Sequence, residues 1–230
     1  MFQLTPMEIE ALLLSLKVGL CSVAASLPFG VALAWLLARR DFPGKTLVNG
    51  LLHLPLVLPP VAVGYALLLL LGRRGPVGAW LHDALGVTVA FTWKGAAVAS
   101  AVMAFPLMVR AIRLSMEAVD RGLEAAARTL GAGPLDVFAT VTLPLALPGI
   151  LAGVILAFAR GIGEFGATIT FVSNIPGETR TLPLALYTLT QTPGTETGAA
   201  RLALISFAVA MAALIASELA AARVARRLAG

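Results

Sequence analysis

Long apolar blocks alternate with short polar stretches along this chain. Five blocks, at roughly 11 to 38, 51 to 71, 95 to 114, 147 to 172 and 199 to 222, each reach the about 20 residues that a helix needs to cross the hydrocarbon core of a bilayer. Two of the polar stretches predict elements of their own. From 116 to 144 the pattern gives a helix pair. The first helix runs from about Met116 to Leu130, and Gly131 takes the left-handed conformation that stops it. Gly133 and Pro134 then restart the chain, with Asp136 in the first turn of a second short helix that Leu143 and Pro144 are expected to end. From 173 to 198, Pro and Gly turn signals bound a helix at about 182 to 191, too short to span. The expected fold class is all-α: one transmembrane domain over residues 1–230, with five spans, a helix pair at 116–144 on one side and a short helix on the other.

Proline alters the second block, where His53-Leu-Pro55-Leu-Val-Leu-Pro59-Pro60 sets three prolines in its first half. Each removes an amide donor and crowds the preceding turn. One reading is a broken helix beside a pathway, since irregular backbone at membrane depth is tolerated only where it is buried or lines a wet cavity. The other is a plain helix that starts at Pro60. Pro28 and Pro106 are expected as kinks in the first and third spans.

Composition agrees with a bilayer protein: 59% of residues are hydrophobic, 13% are charged and the mean hydropathy is +0.91, against about a quarter charged in soluble domains. A chain of 230 residues that mostly spans a membrane is expected to carry no soluble catalytic domain. The first block, about 28 residues preceded by acidic residues, is too long and wrongly flanked for a cleaved signal peptide.

The net charge of +5 sits at the ends of apolar runs, as topology signals do, which argues against nucleic acid as a partner. Arg39, Arg40, Lys45, Arg110, Arg113, Arg121, Arg128, Arg223, Arg226 and Arg227 fall on one side, ten in all. Arg73, Arg74, Lys94, Arg180 and Arg201 fall on the other, with Lys17 and Arg160 inside spans. The positive-inside rule then puts the N-terminus outside, the C-terminus in the cytoplasm, and the 116–144 pair on the cytoplasmic side. Chemistry is sparse. One cysteine, Cys21, and two histidines, His53 and His82, give neither a disulfide nor a metal cluster, so no metal and no cofactor is expected.

The 116–144 segment resembles the signature cytoplasmic loop of the permease subunits of bacterial ABC importers. Gly131, nine further residues, Val141, Thr142, Leu143 and Pro144 fall in the spacing of that loop, and Ala126 and Ala127 match its alanine pair. The family's usual acid position holds Ala125, and the acid stands one residue earlier at Glu124, about 100° around the helix. Within the family, Phe91-Thr-Trp-Lys94-Gly95, Phe105-Pro-Leu-Met-Val-Arg110, Gly163-Glu-Phe-Gly-Ala-Thr168 and Ser173-Asn-Ile-Pro-Gly-Glu-Thr-Arg180 look closest to the molybdate branch. Sulfate and thiosulfate permeases are similar in plan, and tungstate is a further alternative.

The resemblance implies a permease in the bacterial cytoplasmic membrane, paired with a second copy of itself, two ATPase subunits and an extracytoplasmic oxyanion-binding protein. It implies a transport subunit and not an enzyme, in keeping with a sequence that has no Gly-x-x-x-x-Gly-Lys-Ser/Thr phosphate loop. Glu124, Ala125, Ala126, Ala127, Gly131, Val141, Leu143 and Pro144 are the expected ATPase-coupling residues.

For the pathway, Arg160 is expected about twelve residues, roughly 18 Å, from either end of the fourth span, with Glu164 one turn on. Either Arg160 attracts a tetrahedral dianion while Glu164, Thr168, Thr170, Pro59 and Pro60 shape its path, or Arg160 and Glu164 neutralise each other inside the bundle. Gly161, Gly163 and Gly166 serve close packing or a hinge. An alternative of another class, a secondary anion transporter or channel, would call for inverted repeats and mid-membrane ion ligands.

Overall fold

Proline, glycine and short polar side chains decide where each helix starts. A computed structural model describes residues 4–229, among which the chain forms eleven α-helices and one π-helical turn. The side chains of Arg226 and Arg227, counted above among the topology signals, lie outside the described residues. Helix α1 (Pro6–Arg39) begins in a capping box. The Thr5 hydroxyl accepts from the Glu8 amide at 3.4 Å, and the Glu8 carboxylate accepts from the Thr5 amide at 2.7 Å. Its 34 residues extend about 50 Å, well beyond the hydrocarbon core, and Pro28 lies within the helix without ending it.

The second span is two helices, α2 (Lys45–Val57) and α3 (Pro60–Leu71), bent by 113°. Pro55 is carried inside α2, and the break falls at Leu58 and Pro59, just before Pro60 opens α3. Helix α4 (Pro76–Leu85), too short for the apolar pattern to mark as a span, is started by Pro76 and stopped by Gly86 in the left-handed region.

Helix α5 (Trp93–Ala118) runs through the middle of the bundle, against α1 and α8. Met108, Val109, Ile112 and Met116 on its inner face close on Ala34 and Leu37 of α1 and Ala146 of α8. This is the main core.

Three expectations for the following region need correction. The helix expected from Met116 to Leu130 is interrupted at Val119 and Asp120. Asp120 accepts from the Gly122 amide at 2.7 Å and so caps a separate helix, α6 (Arg121–Thr129). Leu143 and Pro144 do not end the second short helix. Helix α7 (Pro134–Val137) passes through a π turn (Phe138–Thr142) into α8 (Leu143–Ile162), a helical run of 29 residues. Pro144 has no amide to donate and its ring crowds the preceding turn. The widened turn, in which the Leu143 amide reaches back to the Phe138 carbonyl, makes room for it.

The block at 147–172 is likewise not one helix. It stops at Gly163 and restarts as α9 (Gly166–Val172). Two glycines weaken the helix there, and the Glu164 carboxylate between them accepts from the Ala167 amide at 2.8 Å, satisfying the new N-terminus.

Helix α10 (Leu182–Thr190) lies where a short helix was expected, and α11 (Glu196–Ala229) follows it. Leu204, Phe207, Leu214 and Ile215 of α11 are exposed, so this helix keeps an apolar flank for lipid or for another chain.

Candidate functional site

Helix α6 carries one leucine and three alanines among polar residues and a glycine, and its one acid points inward. The Glu124 side chain is 5% exposed. Its Oε1 accepts from Arg39 Nε at 3.0 Å and from Thr142 Oγ1 at 2.6 Å. Its Oε2 lies 3.8 Å from an Arg128 nitrogen. Arg39, in the last turn of α1, also donates to the Val119 carbonyl at 3.1 Å. One carboxylate thus fastens α6 to the end of α1 and to the end of the π turn. Buried pairs of this kind cost desolvation and persist when further hydrogen bonds fill the remaining lone pairs, as Thr142 does here.

With Glu124 turned in, the opposite side of the element is presented outward. Ala125, Ala126, Gly131 and Pro144 are exposed, Ala127, Val141 and Leu143 half-buried. Gly131 has φ of +93° and reverses the chain between α6 and α7. On either side of that turn stand Leu130, 89% exposed, and Leu135, 81% exposed. Sequence reasoning did not single out these two leucines, although apolar residues flanking a Gly and Pro turn in a polar stretch are a legible signal. It also gave Arg39 and Thr142 no part. Arg39 lies 85 residues from Glu124, and no local pattern reports such a contact.

The second group gathers where two interrupted spans meet. A Cβ on Gly64 of α3 would lie 2.4 Å from the Ala167 carbonyl oxygen, and one on Gly166 would lie 2.7 Å from the Pro60 Cβ. The Pro60 ring and the Gly64 backbone of α3 therefore rest directly on the backbone of α9. Pro59 and Pro60 are exposed at the bend, and Glu164 stands in the loop that leads into α9.

Arg160 is not at the middle of a span: it lies in the last turn of α8, because the helix ends at Ile162. Its guanidinium lies 2.6 Å from Glu164, whose side chain is 1% exposed against 30% for Arg160. Glu164 therefore holds two donors at once, the arginine and the Ala167 amide. Thr170 donates to the Gly166 carbonyl at 2.9 Å. Thr168 is buried and its hydroxyl has no hydrogen-bond partner among the described residues. The arrangement supplies no nucleophile with a base beside it. What it supplies is a self-neutralised charge pair at the junction of two half-helices.

The sequence matches the family of binding-protein-dependent transport system inner membrane components over residues 26–229. It is 64% identical over 227 residues to the molybdenum transport system permease protein ModB of Escherichia coli K12, covering 99% of each chain. It is 55% identical over 222 residues to the protein of the same name in Haemophilus influenzae, covering 96% of this chain and 97% of that one. Its fold is similar to a chain in the crystal structure of a bacterial ABC transporter involved in the import of the acidic polysaccharide alginate. There the TM-score is 0.74 at 17% identity, covering 96% of this chain and 80% of the other.

Proposed function

We infer that this chain, which belongs to the family of binding-protein-dependent transport system inner membrane components, is the permease through which an ATP-driven importer moves molybdate. It is a multi-pass membrane protein and a transport subunit. The ATPase chains, two of them, are separate partners. A second copy of this chain and an extracytoplasmic oxyanion-binding protein complete the proposed assembly. Molybdate is favoured by the names of relatives that match nearly end to end at 64% and 55% identity.

The observation that carries the coupling role is the outward turn of α6 and α7. Leu130 and Leu135 are exposed on an element whose inner side is clamped by Glu124, so a push on the leucines is passed to α1 and α8 through a rigid joint. The asymmetry of ten against five cations supports a cytoplasmic place for that turn, with the N-terminus outside. Ala125, Ala126, Ala127, Gly131, Val141, Leu143 and Pro144 form the rest of the proposed contact, while Glu124 acts from behind it.

For the pathway, the junction of α3 with α9 is the part proposed to move, with Pro59, Pro60, Glu164, Thr168 and Thr170 along it. Arg160 is cancelled by Glu164, which leaves selection among oxyanions to the external binding protein.

The test is a double variant, Leu130→Asp with Leu135→Asp, copurified with the ATPase subunit. Both side chains are exposed, so insertion and thermal stability are expected to be unchanged while capture of the ATPase falls at least about tenfold, in line with loss of a central apolar anchor. Capture equal to that of the unaltered chain would contradict the proposed contact.

A further inference from the structure

Beside the turn between α6 and α7, two cavities of opposite character share a wall. The first, about 360 Å³, is polar, with Arg39, Arg40, Arg128, Glu124 and Thr142 lining it. The second, about 460 Å³, is an apolar groove beside α1, lined by Pro28, Val31, Ala32, Leu36 and Leu135. Trp35, Pro134 and Phe138 line both.

In the first cavity three guanidinium groups face one carboxylate. Glu124 is already engaged by Arg39 and Thr142, and Arg39 is satisfied by Glu124 and the Val119 carbonyl. The surplus charge belongs to Arg40 and Arg128. Arg40 lies 5.7 Å over the Trp35 ring and has no carboxylate in reach among the described residues. Arg128 reaches Glu124 only at 3.8 Å, with its side chain 59% exposed.

The groove follows α1 from Pro28 to Leu36, about 12 Å at the helical rise, and Trp35 stands at the join, where an indole belongs at headgroup level. We propose that the two adjoining cavities hold one anionic phospholipid draped over the Trp35 and Phe138 rings, which meet edge to face at 5.9 Å between them, with its phosphate between Arg40 and Arg128 and an acyl chain in the groove beside α1. A free oxyanion would use only the basic cavity, and an apolar side chain of another protein only the groove. Charge at one end and hydrocarbon at the other is the chemistry of an acidic lipid in a basic pocket between membrane helices. Since Arg128 and Pro134 belong to α6 and α7, the bound lipid also holds that element against α1. The site stands on the two cavities, and only the leaflet rests on the orientation proposed above.

The experiment titrates the full chain, delipidated in detergent, with phosphatidylglycerol or phosphatidylcholine and counts bound lipid by native mass spectrometry. Phosphatidylglycerol is expected to bind at least about tenfold tighter than phosphatidylcholine. The double variant Arg40→Gln with Arg128→Gln removes that preference. Ala32→Trp, which fills the groove and leaves both arginines, weakens phosphatidylglycerol at least about fivefold. Inorganic phosphate does not displace it.

Equal binding of the two lipids, or variants that bind phosphatidylglycerol as the unaltered chain does, would overturn the proposal. So would displacement by inorganic phosphate, the mark of a free-anion site. Arg39 is left in place so that the Glu124 anchor is kept, and a thermal melt of each variant checks this. None of these readings involves ATP, and Leu135, which lines the groove and also belongs to the proposed ATPase contact, is unaltered in every variant, so the site and the coupling role stand or fall separately.

Discussion

Glu124 does its work facing inward. Its carboxylate is the meeting point of Arg39, Thr142 and Arg128, and both Glu124 and Arg39 are buried, at 5% and 8% side-chain exposure. Replacing one partner leaves the other charge nearly buried beside a polar cavity and without its counter-ion, which costs up to about 3–5 kcal/mol. Glu124→Gln is therefore expected to lower the unfolding free energy of the purified chain by that order, measured by denaturation in detergent. Arg39→Met combined with Glu124→Leu, which removes both charges, recovers most of the loss. A cost below about 0.5 kcal/mol for the single variant, the size of an ordinary surface change, would contradict the anchor.

The motif position of this acid was legible in the sequence, and so was its offset by one residue. Its direction was not, because that is decided by Arg39 at the far end of α1. Arg160 shows the opposite case. Its pairing with Glu164 was open to reading from their spacing, yet its depth was not, since that depended on where α8 ends.

At the level of elements, breaks carry more meaning than spans. The bend of 113° between α2 and α3 was signalled by Pro59 and Pro60. The break between α8 and α9 was not: its glycines read as packing or hinge positions within one long helix, and the carboxylate that caps α9 shows only in three dimensions. The same holds for α6, where Asp120 stands in a polar stretch that reads as one continuous helix, and the cap it makes on the Gly122 amide shows only in three dimensions.

The two broken spans rest on each other through Gly64 and Gly166. Gly64→Val sets side-chain atoms against the Ala167 backbone, which cannot retreat as a flexible side chain would. Such overpacking costs about 1–3 kcal/mol. The expected outcome is a chain that still inserts, melts several degrees lower and transports at no more than about a tenth of the normal rate. Normal uptake by a folded Gly64→Val chain would argue against motion at this junction.

For the whole molecule, two regions divide the work. One, at α6 and α7, has an anchored inner side and an apolar outer side. The other, at α3 and α9, has backbone in contact with backbone. Helix α8, continuous from the π turn to Ile162, runs from the first toward the second. Force applied at the turn is proposed to drive transport. Gly131 offers the cleanest handle, since its φ of +93° needs glycine while a Cβ there would meet nothing within 4 Å. A β-branched residue at that angle costs about 1–3 kcal/mol, relieved by re-aiming the turn.

The decisive measurement is molybdate uptake by liposomes that contain the chain with the proposed ATPase and binding-protein partners, with Gly131 or with Gly131→Val. Uptake that requires ATP is expected in the first case and, in the second, ATP hydrolysis that continues without uptake. Uptake by the chain alone without ATP, or full uptake by Gly131→Val, would contradict that coupling.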